Sequence, residues 1–157
     1  MNHSPHILLV EDEAPKRQHI QKLVSDTLPS ARLSTAKSVN SAMDILETEA
    51  VDMLLLDMSL PTYDVEDGET GGRPQGFGGT EILRFMAMME IKSPTIVVTG
   101  YEAFIREAGK IVDLAQLRTE LIDEFPLIVK AVVHYNSTFD EWRTILIENF
   151  EEWKKER

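Results

Sequence analysis

Apolar residues along this chain fall into short runs that stop abruptly on polar ones. Ile7-Leu8-Leu9-Val10 ends at Glu11-Asp12-Glu13, Met53-Leu54-Leu55-Leu56 ends at Asp57, and Thr95-Ile96-Val97-Val98 ends at Thr99-Gly100. A continuous apolar run without alternation predicts a strand buried on both faces. Arg32 to Ala36 reads as a weaker strand, and residues 127–135 as a fifth. Between the runs the apolar period changes to that of a helix. Ile20, Leu23, Val24 and Leu28 follow Pro15, which suits a first helical turn, and stop before Pro29. Ser38 can cap a helix carrying Ala42, Ile45 and Leu46, and Ile82, Leu83, Phe85, Met86 and Met89 give the next. Residues 102–125 are expected to be helical in one or two pieces. The segment 139–155 closes the chain as a helix with Trp142, Ile145, Leu146 and Phe150 inward, and Trp153 eleven residues from Trp142 shares that side. Buried strands alternating with amphipathic helices predict an α/β class, a doubly wound parallel sheet with helices on both faces.

The size, 157 residues with 43% hydrophobic, fits one domain spanning 1–157. Sixteen basic residues against 27 acidic ones leave a net charge of −11. Such a field repels nucleic-acid backbones and anionic lipid, so neither nucleic acid nor a membrane is an expected partner. The absence of cysteine excludes disulfides, a thiol nucleophile and cysteine-ligated metals. No run reaches the roughly 18 apolar residues of a membrane span, and Met1 to His6 lacks the features of a signal peptide, so a cytoplasmic protein is expected. The loop 58–79 holds six of the eight glycines together with Asp64, Glu66, Asp67 and Glu69. Counted from Asp64 it puts Gly68 fifth and Gln75 twelfth, which fails as a calcium loop, and Gly76 to Glu81 lacks the spacing of a phosphate-cradling motif. His3 and His6 fall in what reads as a terminal tail, and His19 on a solvated helix face.

In an open parallel sheet, ligands bind outside the carboxyl ends of the strands. Those ends deliver Glu11, Asp12, Asp57 and Thr99. If the first and third strands are neighbours, three carboxylates meet in one crevice, where they raise one another's pKa unless a cation is present. An all-oxygen set of this kind suits magnesium. With the metal held, a carboxylate oxygen of Asp57 is placed to attack a phosphoryl group, Thr99 offers a hydroxyl to it, and a cation from the fifth strand would complete the neutralisation.

These segments together resemble the receiver domain of two-component response regulators. The resemblance rests on I-L-L-V-E-D-E at 7–13, L-L-L-D-M-S-L-P at 54–61, G-G-T-E-I-L at 78–83 and T-I-V-V-T-G at 95–100, and spans most of the chain. It implies a flavodoxin-like five-stranded sheet of order 2-1-3-4-5. It also implies Glu11 and Asp12 as the acidic pair holding Mg2+, Asp57 as phosphoacceptor and metal ligand, the backbone carbonyl of Ser59 as a further ligand, and Thr99 as the switch hydroxyl. The implied partners are a histidine kinase or phosphotransfer protein and a downstream protein, with a homodimer through the fourth helix, fifth strand and fifth helix. The chain would then be a stand-alone receiver without an output domain, accepting a phosphoryl group and at most slowly losing it.

The chain departs from that pattern at the fifth strand. Receivers carry a lysine, usually followed by proline, at its end, whereas Lys130 precedes Ala131 inside an apolar run. A strand over 127–135 puts His134 at the carboxyl end and Lys130 about 13 Å upstream. Either Lys130 or His134 is a candidate cation, with reach favouring His134. A register ending at Lys130 would instead strand Val132 and Val133 in solvent. The aromatic switch position is Leu127 in one register and Ala131 in the other. Two other functions compete. One is a phosphorylation-independent pseudo-receiver acting as an interaction module. The other is an aspartate-based phosphohydrolase, disfavoured because Ser59 stands where those enzymes typically carry a second aspartate.

Overall fold

The computed structural model describes residues 4–64, 78–100, 103–105 and 111–157. Its centre is a parallel sheet of β1 (His6–Val10), β2 (Arg32–Ala36), β3 (Met53–Leu56), β4 (Thr95–Thr99) and β7 (Val129–His134), in the order β2-β1-β3-β4-β7. This is the doubly wound order anticipated above. Residues alternate strictly between its two faces. Leu8, Val10, Leu54, Leu56, Val97 and Val132 face α2 (Val39–Thr48), α3 (Gly78–Met88) and α4 (Leu114–Glu124). Ile7, Leu9, Met53, Leu55, Ile96 and Val98 face α1 (Ala14–Thr27) and α5 (Glu141–Lys155). Two cores explain why the strands are apolar at every position. Trp142 and Trp153 are both buried under the sheet, as their spacing predicts.

The segment before α4 differs from the expected helix. β5 (Ala103–Ile105) and β6 (Ile111–Asp113) pair as an antiparallel ribbon, and only then does α4 begin. The β-branched Ile105, Ile111 and Val112 favour extended backbone, and Asp113 stops the ribbon by capping α4. Its carboxylate accepts from Gln116 N while the Gln116 side chain accepts from Asp113 N. The sheet's last strand ends at His134, with Thr99 opposite it, and Val132 and Val133 are buried. The register that ends at Lys130 is therefore excluded. α5 starts at Glu141, two residues later than the sequence pattern placed it.

Other expectations are corrected locally. His6 is a buried strand residue, not part of a tail, with its ring nitrogens bonded to Ala50 O and Ser34 Oγ. His19 is exposed yet tied, its Nδ1 lying 2.6 Å from Tyr135 Oη. Met89 is exposed beyond the end of α3. There Glu90 takes a φ of 58°, and Ile91 N bonds Met86 O while Glu90 N bonds Ala87 O, the pairing of a left-handed helix terminus. The loop residues 65–77 and His3 lie outside the described residues.

Gly79 fixes how α3 approaches the loop after β3. Its N–H donates to Met58 O, and a Cβ there would stand 2.6 Å from the Asp57 carbonyl oxygen and 2.9 Å from Met58 Sδ. Gly79→Ala is expected to push the Asp57 backbone outward and destabilise the fold by about 1–3 kcal/mol, the usual scale of overpacking, read by urea unfolding. Glu90→Gly is expected to act in the opposite direction, gaining about 0.5–1 kcal/mol in the same measurement by relieving the left-handed residue.

Candidate functional site

The two central strands of the sheet end side by side. β1 and β3 pair with Val10 opposite Leu56, so the residues that follow them, Glu11 and Asp12 on one side and Asp57 on the other, leave the sheet at the same level. One carboxylate oxygen from each of the three lies within 4.8 Å of the others. Glu11 and Asp57 are buried, while Asp12 is partly exposed. Backbone contacts hold the cluster open: Glu13 N donates to Glu11 Oε2, and Arg17 Nη1 donates to the carbonyls of Glu11 and Asp12. The acid triad read from the strand ends is thus brought together.

The cation that meets it comes from an element the sequence reading did not consider. Lys16, in the first turn of α1, is 3% exposed, with Nζ 2.6 Å from Glu11 Oε1 and 3.1 Å from Asp57 Oδ1. The same ammonium donates to Val98 O at 2.7 Å and sits 5.6 Å from the centre of the Tyr135 ring. Lys130 is exposed and lines a separate groove between α4, β7 and α5. His134 lines a cleft beside Asp57, together with Glu13, Lys16, Gly100, Tyr135, Asn136 and Ser137. That cleft has a volume of about 420 Å³. Thr99 is buried at the end of β4, next to Gly100 in the cleft wall. A signal for Lys16 was present in the sequence: it stands four residues before Ile20 and seven before Leu23, on the apolar stripe of α1, where a lysine needs a buried partner.

One ammonium does not balance three carboxylates. Burial, and after it the charge of Asp57, pushes Glu11 up to about 8, against a partial downward pull from Lys16. Burial also raises Asp12, with Asp57 adding to it. Asp57 is raised by its own burial, although Lys16 and the N–H groups of Met58 and Ser59 oppose the shift. For Lys16, burial pulls downward, but Asp57 and Glu11 outweigh it and hold the ammonium above its ordinary range. Glu11 Oε1 and Asp57 Oδ1 have no hydrogen-bond donor, facing only the ammonium as ion pairs. Buried, under-partnered carboxylate oxygens with Asp12 alongside fit a hard divalent cation with an all-oxygen shell.

Comparison with known proteins agrees with this layout. No protein-family model matches the chain. It is 28% identical over 148 residues to the Detocs response regulatory protein DtcB of Enterobacter cloacae, covering 93% of this chain and 98% of that protein. Among solved structures, the phosphorylated cyanobacterial phytochrome response regulator RcpA superposes with a TM-score of 0.67 at 18% identity, over 99% of this chain and 97% of that one. By fold, the chain is a response-regulator receiver domain. A further receiver-fold neighbour is the response regulator TrrA of Thermotoga maritima in complex with Mg2+ and BeF, with a TM-score of 0.63 at 18% identity, over 95% of this chain and 98% of that one. In this receiver the fifth sheet strand ends on His134 and Tyr135, and a lysine meets the acids from α1 instead.

The raised acids make the stability of the metal-free receiver depend on pH in a definite direction. A carboxyl whose folded pKa exceeds its unfolded value binds its proton more tightly when folded. Its contribution is complete below the unfolded value and is lost as the pH rises through the folded one. For Glu11 that window runs from 4.5 to about 8. The melting temperature in chelator is expected to fall across this window, and magnesium to restore more of it at the top than at the bottom. Calorimetric scans at both ends, with and without the metal, check this. A flat or rising profile in chelator would contradict the assigned crowding.

Proposed function

We propose that this receiver accepts a phosphoryl group on Asp57 from a phosphohistidine on a kinase or phosphotransfer protein, in a magnesium-dependent reaction. The observation that carries the reading is the triad itself: three carboxylates within 4.8 Å at adjacent strand ends, opening on a cleft that Asp57 lines. Glu11, Asp12 and Asp57 would hold the metal, joined by the backbone carbonyl of Ser59. When bound, the ion would lower the repulsion between the acids and the incoming phosphoryl oxygens.

The residues divide the remaining work. A carboxylate oxygen of Asp57 forms the new O–P bond, and the P–N bond of the donor imidazole breaks with its electron pair returning to the ring nitrogen. The N–H groups of Met58 and Ser59 lie against the Asp57 carboxylate and orient it. Thr99, at the end of β4, is assigned the hydroxyl contact to the phosphoryl group. The chain on this reading is an acceptor and not a turnover enzyme, and its output is contact with another protein. A net charge of −11 directs that contact away from nucleic acid and anionic membranes. The groove between α4, β7 and α5, with exposed Phe139 beside buried Trp142, is the surface we assign to the downstream protein or a second copy.

A phosphorylation-independent module is the second reading. It draws on one observation: the Lys16 ammonium already bridges Glu11 and Asp57. Incubation with acetyl phosphate, with and without magnesium, separates the two by intact mass. The expected outcome is a gain of one phosphoryl group that needs magnesium and vanishes in Asp57→Asn. No gain in folded protein with an active donor would favour the module.

A further inference from the structure

We infer that Lys16 is the phosphoryl-binding cation of this receiver, supplied from the first turn of α1 in place of the strand-end lysine that the chain lacks. The inference rests on the reading of Asp57 as phosphoacceptor and adds a residue to that site. Two positions on α1 and β7 are at issue. β7 ends on His134, paired across from Thr99, and the next residue, Tyr135, turns its ring toward the Lys16 ammonium. The ammonium itself stands 3.1 Å from Asp57 Oδ1 and lines the same cleft as Asp57 and His134.

Its placement is costly for any purely structural role. A cation in the first turn of a helix opposes the helix dipole, and burying a charged group is strongly unfavourable without close partners. Lys16 has both disadvantages, being at the third position of α1 and 3% exposed. What offsets them is the acid triad and the Val98 carbonyl at 2.7 Å. The two carboxylate oxygens it touches are also the two that have no hydrogen-bond donor. A divalent cation held by Glu11 and Asp57 therefore uses oxygens that the ammonium now faces. Three carboxylates are balanced by one divalent ion and one ammonium together, but by neither alone.

Lys16 consequently has two stations on its flexible four-carbon stem. Without the metal it is the counterion that holds Glu11 and Asp57 together. With the metal in place it is displaced toward the cleft, where it neutralises phosphoryl oxygens while remaining protonated throughout. Arg17, the neighbouring cation, does not share this task because its guanidinium is engaged with the backbone carbonyls of Glu11 and Asp12.

The test compares wild type with Lys16→Met, which keeps the apolar stem, and Lys16→Gln, which keeps a donor for Val98 but no charge. Folding is verified by circular dichroism in excess magnesium. Both variants are expected to bind magnesium several-fold more tightly by calorimetry, since a competing cation has gone. Their phosphorylation by acetyl phosphate is expected to slow roughly 10²-fold, the scale for losing one preorganised charge at a reacting group. Adding His134→Lys to Lys16→Met, which returns an ammonium to the strand end, is expected to recover part of the rate. Variants with wild-type rate and wild-type magnesium affinity, even if less stable, would overturn the inference while leaving Asp57 as acceptor. A wild-type chain that takes up no phosphate would instead remove the phosphoacceptor reading and this role with it.

Discussion

Crowding of like charge at the carboxyl ends of two adjacent parallel strands governs the chemistry of this receiver. Val10 and Leu56 are paired in register, so the acids that follow them cannot avoid one another. Burial removes the water that would screen them, which is why Glu11 is pushed to about 8 and its neighbours are raised as well. The arrangement is unfavourable by itself and persists because the sheet behind it is fixed by two cores. Those cores hold the strands through alternate residues, Leu8 and Leu54 on one face and Ile7 and Met53 on the other. Stability is thus placed in the apolar layers and reactivity at their polar edge.

The loop after Asp57 is held with comparable firmness. Gly79 brings the start of α3 against Met58 and the Asp57 carbonyl, closer than any side chain would permit. On the opposite side, Arg17 binds the carbonyls behind Glu11 and Asp12. Main chain around the acids is therefore pinned, leaving a lysine stem as the adaptable charged part. A rigid acid cradle with one long cationic arm can accommodate either a metal-free or a metal-bound charge balance without moving the fold.

The other distinctive region lies between β4 and β7. The β5-β6 ribbon and a capped α4 occupy a stretch whose apolar residues also fit a helical pattern. Local composition was ambiguous there, since Ile105, Ile111 and Val112 pack well in either state, and pairing between the two short strands decided it. The strand that follows was easier to place. Burial of Val132 and Val133 requires it to continue past Lys130 to His134, and the sequence showed that requirement directly.

Sequence alone determined the fold class, the strand order and the acid triad, because each depends on local periodicity and on what stands at the end of an apolar run. Residues buried on both faces must be apolar at every position, and the abrupt change to Glu11, Asp12 and Asp57 marks where the sheet stops. The partner of that triad was not legible in the same way. Lys16 is five residues from Glu11 but 41 from Asp57 and 82 from Val98, and only the packing of α1 against β1, β3 and β4 brings those groups to one ammonium. Periodicity marked it as a lysine on an apolar stripe. Which charges it would meet there was decided by tertiary structure, because the energy of a buried ion pair depends on distance and solvent exclusion, and neither is encoded in spacing along the chain.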